Sequence, residues 1–275
     1  MKRISKSAQN SGKAGRRKVV KQKRVQEGSI HVYFRGNGRF NVFYDDYDKI
    51  EFLKKCNSAA EKHNTSIEQI VLMDNHVHIH VNTKSLTPFV YNLIHGYSFW
   101  YNRKHGISGK LFESPFNSSQ KNSADWVLKS MLYILQNPLS ARICKHPKEY
   151  AWSSYHSYFT RGNAKSNPVI KHLNIDKTFI YNHFNDLQDF ERAIFEEAAN
   201  IMEVKETENK KWETIPDAEV VRFANIKLNG RSVFHLNNDE INLIILELRN
   251  EIGASYRQIS SILHQSFAYV KRVCR

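Results

Sequence analysis

The chain is poor in cysteine, holds no long apolar run, and has no acidic residue before Glu27. Its three cysteines, Cys56, Cys144 and Cys274, are odd in number and far apart. That argues against a disulfide framework and for a reducing compartment. No Cys-x-x-Cys pair is present, which argues against a zinc ribbon or finger. No apolar stretch approaches the roughly 18–20 residues of a membrane helix, so a spanning protein is excluded. The start has no apolar h-region, so a secretory signal is not expected. A Gly-rich phosphate loop of the Walker type is also missing.

What the chain has is positive charge, unevenly placed. From Met1 to Arg24 there are ten Lys/Arg and no Asp/Glu, so this stretch carries +10 of the formal +14. It has almost no large apolar residues and cannot bury enough surface to offset ordering entropy. Residues 1–27 are therefore expected to form a disordered basic tail. Such an arm binds nucleic acid phosphates and releases counterions, although its composition also fits a solubility tail or a transit peptide. The remaining length is enough for one large or two smaller domains with a proper core.

Ile30, Val32 and Phe34 alternate with His31, Tyr33 and Arg35, the pattern of a half-buried strand. Asp45 to His63 reads as an amphipathic helix. Ile67–Met73 and His76–Asn82 read as adjacent strands joined near Asp74-Asn75. Thr87-Pro88 looks like a helix start, with Thr as cap. Gly106–Phe116 is irregular or a short strand, and Ser123 caps a helix that Asn137-Pro138 ends. These short connections predict an α+β domain over 28–160, an antiparallel sheet with helices on one face. Residues 161–235 are expected to be linker and helical extension, with helix over 176–203 and further linker at Lys205–Lys211. An all-α region over 236–275 follows. Its segments capped by Ser255 and Ser266, turning at His264-Gln265, resemble a helix-turn-helix with Lys271 and Arg272 on the last helix. A plain three-helix cap fits the same pattern.

Two motifs carry chemistry. In His76-Val77-His78-Ile79-His80-Val81 the three imidazoles share one strand face. Two His at i and i+2 can converge on one divalent cation, or simply line a solvated sheet face. On the Ser123 helix, Tyr133 and Asn137 lie one turn apart. A tyrosine hydroxyl, a poor nucleophile at neutral pH, becomes useful against a phosphodiester if a metal polarises the phosphate and offsets the developing charge. Otherwise the ring packs on the sheet and Asn137 ends the helix.

Together the motifs become recognisable. Leu72-Met73-Asp74-Asn75-His76-Val77-His78, Tyr133-Ile134-Leu135-Gln136-Asn137-Pro138 and Trp152-Ser153-Ser154-Tyr155 are similar to the REP-associated tyrosine transposases. These belong to the HUH single-tyrosine superfamily, with the insertion-sequence transposases. Arg35-Gly36-Asn37 and Gly109-Lys110-Leu111-Phe112 also resemble that family. The resemblance covers about residues 28–160. It implies a ferredoxin-like, RRM-like catalytic domain that cleaves single-stranded DNA near hairpins through a 5′-phosphotyrosine. By position, His76, His78 and Asn137 would hold Mg²⁺ or Mn²⁺, and Tyr133 would be the nucleophile. Apart from the resemblance, Trp152 could stack on a DNA base or close the core, Arg35 could contact phosphate or be a solvated turn residue, and Lys271 and Arg272 would contact duplex DNA in the helix-turn-helix reading. His80, where the family is usually apolar, is expected to be structural or to support the ligands, though His78/His80 also fits the His-apolar-His pattern. Asp74 stands where Pro is usual, and Ser140 and Arg142 match only loosely. The implied protein is a cytoplasmic, nucleoid-associated bacterial enzyme, monomeric or homodimeric. Rival readings are a DNA-binding regulator that no longer cleaves and a metal-dependent RNA endonuclease.

Overall fold

The computed structural model describes residues 24–159, 166–208 and 215–275. The expected basic tail before Arg24, and residues 161–165 and 209–214 of the expected linkers, lie outside them. Strand β1 (Gly28–Arg35) buries Ile30, Val32 and Phe34, as its alternation requires. It runs between β3 (His76–Thr83) and β4 (Asn117–Gln120), and β2 (Ser66–Met73) flanks β3. All pairs are antiparallel, in the order β2-β3-β1-β4. Helix α1 (Asp46–Lys62) follows β1, and α2 (Leu86–His105) follows β3, which gives the ferredoxin-like connection. Both helices cover one sheet face. Phe52, Leu53 and Cys56 of α1 and Phe89, Leu93 and Tyr97 of α2 share a core with Ile30, Val32, Ile79 and Val81.

The opposite face carries the histidines. Helix α3 (Ala124–Leu135), capped by Ser123, crosses part of it, and its Val127, Met131 and Leu135 pack on Val71 and Met73 of β2. A short turn α4 (Asn137–Ser140) follows at Pro138. Helices α5 (Pro168–His172), α6 (Thr178–His183) and α7 (Leu187–Glu208) come next. The single helix expected over 176–203 is thus two. Asp186 Oδ1 accepts the Asp189 N–H at 2.9 Å and starts α7 as a new helix. The stretch expected to be linker from Lys205 is still helical through Glu208.

Helices α8 (Asp217–Leu228), α9 (Asn238–Asn250), α10 (Tyr256–Ile262) and α11 (Phe267–Val273) enclose a third core. Val220, Ala224 and Leu228 of α8 belong to it. The C-terminal unit therefore begins about twenty residues before the boundary drawn at 236. Ser255 and Ser266 cap α10 and α11 as expected. The turn between them lacks Gly, and His264 takes the left-handed backbone there, with φ +52°.

Two start signals resolve differently from expectation. Helix α2 begins at Leu86, one residue before Thr87. Its free N–H groups are met from the chain before β1. Gln26 accepts the Thr87 N–H through Oε1 at 3.0 Å and the Leu86 N–H through its carbonyl at 3.1 Å. Strand β4 falls on Asn117–Gln120, just past the irregular segment, and is entirely polar.

Candidate active site

The register of the sheet brings the site together. In the β1–β3 pair, Arg35 faces His76, Tyr33 faces His78 and His31 faces His80. The period of two sends His31, Tyr33, Arg35, His76 and His78 to the face that α1 and α2 leave uncovered. Helix α3 crosses beside them, and Tyr133, the residue it leaves 40% exposed, turns toward the histidines. The ring centroids of His78 and Tyr133 are 6.0 Å apart, those of His31 and Tyr133 6.2 Å, and those of His76 and His78 5.2 Å. His31, Tyr33, Arg35, His76, His78, Asn117, Tyr133 and Asn137 line one open cleft of about 360 Å³. Of the sequence-derived residues, His76, His78, Tyr133, Asn137 and Arg35 thus meet.

Three of the polar side chains in the cleft, His76, His78 and Asn137, are held by neighbours. Asn75 Oδ1 lies 2.6 Å from His76 Nδ1, and His31 Nε2 lies 2.9 Å from His78 Nδ1. The Asn137 amide donates to the carbonyls of Tyr133 at 3.0 Å and Ile134 at 3.1 Å, satisfying open carbonyls at the end of α3. Its Oδ1 is left as an acceptor. Arg35 lies over the Tyr33 ring at 5.6 Å, and its Nε is buried with no hydrogen-bond partner.

The imidazoles are neutral at neutral pH. Burial, with Arg35 nearby, pushes His76 down to about 4. Burial, with His80 and Lys121 nearby, pushes His31 down to about 3. Burial takes His78 well below the usual value, helped by His76, His31 and Arg35. Neutral rings are the form that binds metal. Among the described residues, no three His, Cys, Asp or Glu side chains form a cation cage. The fit is instead two imidazoles with Nδ1 engaged elsewhere, plus one amide oxygen. This nitrogen and oxygen set suits a divalent cation that keeps positions for phosphate oxygens.

His80 is not in the cleft. It is fully buried, and its Nδ1 lies 2.9 Å from Glu68 Oε2. Its Nε2 is buried without a hydrogen-bond partner, and His80 does not line the cleft that His78 shares with His76 and Tyr133. Trp152 also lies elsewhere. It packs between the sheet core and the α3 core, with Lys49 Nζ 5.3 Å from its ring. Lys271 and Arg272 are exposed on α11, and Arg272 lies over Tyr269 at 5.1 Å. Neither lines the histidine cleft.

His31 and Tyr33 are site residues that the sequence showed only as the polar half of a strand. Their alternation was the available signal. It needed the β1–β3 register to become a site.

Residues 24–125 match the family model described as transposase IS200 like. The resemblance is thereby shown over that stretch, which contains His76 and His78 and ends before Tyr133. Among solved structures, one described as a REP-associated tyrosine transposase bound to a REP hairpin is similar at 13% identity and a TM-score of 0.41. The match covers 50% of this chain and 82% of that one. No curated protein matches.

Proposed function

We propose that the protein is a single-tyrosine DNA endonuclease and strand transferase acting on single-stranded DNA beside hairpins. One observation carries the reading. Two histidines on β3 and a tyrosine on α3 share one cleft although the tyrosine lies more than fifty residues from the histidines in the chain. The family match over 24–125 supports transposase-type chemistry on DNA.

His76, His78 and Asn137 would hold Mg²⁺ or Mn²⁺, which when bound polarises a phosphodiester and offsets charge in the transition state. Arg35, on the wall beside His76, gives the same phosphate a fixed positive partner. Tyr133 Oη bonds to phosphorus, and the bond from phosphorus to the 3′-oxygen breaks. The proton lost by the tyrosine ends on that oxygen, which leaves as a free 3′-hydroxyl. A 5′-phosphotyrosine remains, and attack by a 3′-hydroxyl reverses the step without a nucleotide cofactor. Tyr33 also brings a hydroxyl to the cleft, but it is half-buried in the strand, whereas Tyr133 is exposed to an incoming strand of DNA. The exposed Lys271 and Arg272 on α11 are assigned to duplex phosphates beside the target.

The test uses single-stranded hairpin DNA flanking the protein's own gene, with Mn²⁺ or Mg²⁺, on a denaturing gel. Wild type is expected to give an adduct that Tyr133→Phe abolishes and Tyr33→Phe retains. An adduct surviving in Tyr133→Phe would move the nucleophile. Tight hairpin binding with no adduct in wild type would favour the regulator. Cleavage of RNA without an adduct would favour the RNA endonuclease.

A further inference from the structure

We propose that His31 is a positioning residue that fixes the tautomer of His78, so that both β3 imidazoles present Nε2 to the cleft. The inference rests on the metal-site reading above and adds a residue to it.

A neutral histidine in water favours the form with its proton on Nε2. A ring in that form can ligate only through Nδ1. Here both Nδ1 atoms are already occupied. Asn75 Oδ1, which can only accept, sits 2.6 Å from His76 Nδ1. That contact requires a proton on His76 Nδ1 and puts the lone pair on Nε2. His78 Nδ1 meets His31 Nε2 at 2.9 Å. For His78 to match its neighbour, His31 must accept, with its own proton on Nδ1. A buried partner that orients the far side of a ligating imidazole is a general device of metal sites.

The sheet explains why His31 takes this part. Its direct cross-strand partner is His80, and His78 is only its diagonal neighbour. His80 makes no bond to His31: its Nδ1 is held by Glu68, and its buried Nε2 has no hydrogen-bond partner. His31 instead turns to His78, and their ring centroids stand 5.2 Å apart. His31 does not join His76 and His78 as a third ligand, since no such trio converges among the described residues.

The experiment is ¹H–¹⁵N NMR of the full-length protein labelled at the histidine rings, without metal or DNA. Signals are assigned with single His→Gln variants. His76 and His78 are expected in the Nδ1–H form. In His31→Phe, which cannot accept a hydrogen bond, His78 is expected to revert to Nε2–H while His76 stays as it is. In His31→Gln, whose Oε1 can accept, the Nδ1–H form of His78 should return. Mn²⁺ titration followed by broadening of the same signals should need roughly 10–100-fold more metal in His31→Phe, with recovery in His31→Gln. His78 in the Nε2–H form in wild type, or unchanged in His31→Phe, overturns the assignment. Failure of the enzymatic reading looks different, since no DNA adduct would form although the tautomers follow His31. An adduct formed with tautomers indifferent to His31 would remove this inference alone.

Discussion

His76 shows how burial sets the behaviour of a single residue here. Its folded pKa of about 4 lies below the unfolded value near 6.5, so the unfolded chain binds the proton first. Stability is then complete above pH 6.5 and is lost as pH falls from there through about 4. His31 behaves alike down to about 3. Urea unfolding of the metal-free protein should weaken by about 1.4 kcal/mol per pH unit for each such histidine between pH 6 and 4.5. His76→Gln should reduce that slope by one histidine's share. An unchanged slope would mean that His76 titrates alike in both states. The same neutrality leaves the rings in the form that the cation of the proposed reaction would need at neutral pH.

Within the elements, β2 carries a feature that simple alternation misses. Ile67 and Ile70 both enter the sheet core although they stand at i and i+3, an odd spacing. A bulge between Ile67 and Gln69 shifts the register by one, and Glu68 sits in it. That places the Glu68 carboxylate against His80. Glu68→Ala would strand a buried imidazole and should cost about 1–3 kcal/mol in urea unfolding. Glu68→Leu with His80→Leu removes both partners together and should cost less than Glu68→Ala alone. The double variant should still form the DNA adduct, because His80 lies outside the cleft. If it folds but gives no adduct, His80 takes part in the metal site after all.

For the whole molecule, the join between the sheet domain and the C-terminal helices decides how the two act together. Tyr44 Oη donates to the Ile262 carbonyl at 3.0 Å, His264 Nε2 bonds the Asn41 carbonyl at 3.1 Å, and Ser261 bonds the Arg39 carbonyl. His264 also stacks on Phe40 at 4.1 Å between centroids. It does this from a left-handed backbone, which costs a non-glycine residue roughly 1–2 kcal/mol. His264→Ala loses the contacts and keeps that cost, whereas His264→Gly loses the contacts and removes it. The Gly variant should therefore unfold at higher urea than the Ala variant, and both below wild type. Equal midpoints would show that the turn relaxes once the imidazole is gone. The Asn41 and Arg39 carbonyls stand close to the Asn75 loop that holds His76, so the helical unit buttresses the wall of the cleft.

Local pattern was enough for β1, α1, β2 and β3 and for the capped helices α3, α10 and α11. In each, a period of two or 3.6 or a capping side chain is written within about ten residues. It also marked His76, His78, Tyr133 and Asn137, because those residues stand in short motifs. Tertiary structure alone decided the rest. Strand β4 is polar and exists because β1 offers it an edge. The start of α2 depends on Gln26, sixty residues away in the chain. The place of His31 depends on the β1–β3 register. Pairings of this kind are fixed by which groups lie opposite one another after folding, and no local periodicity encodes that.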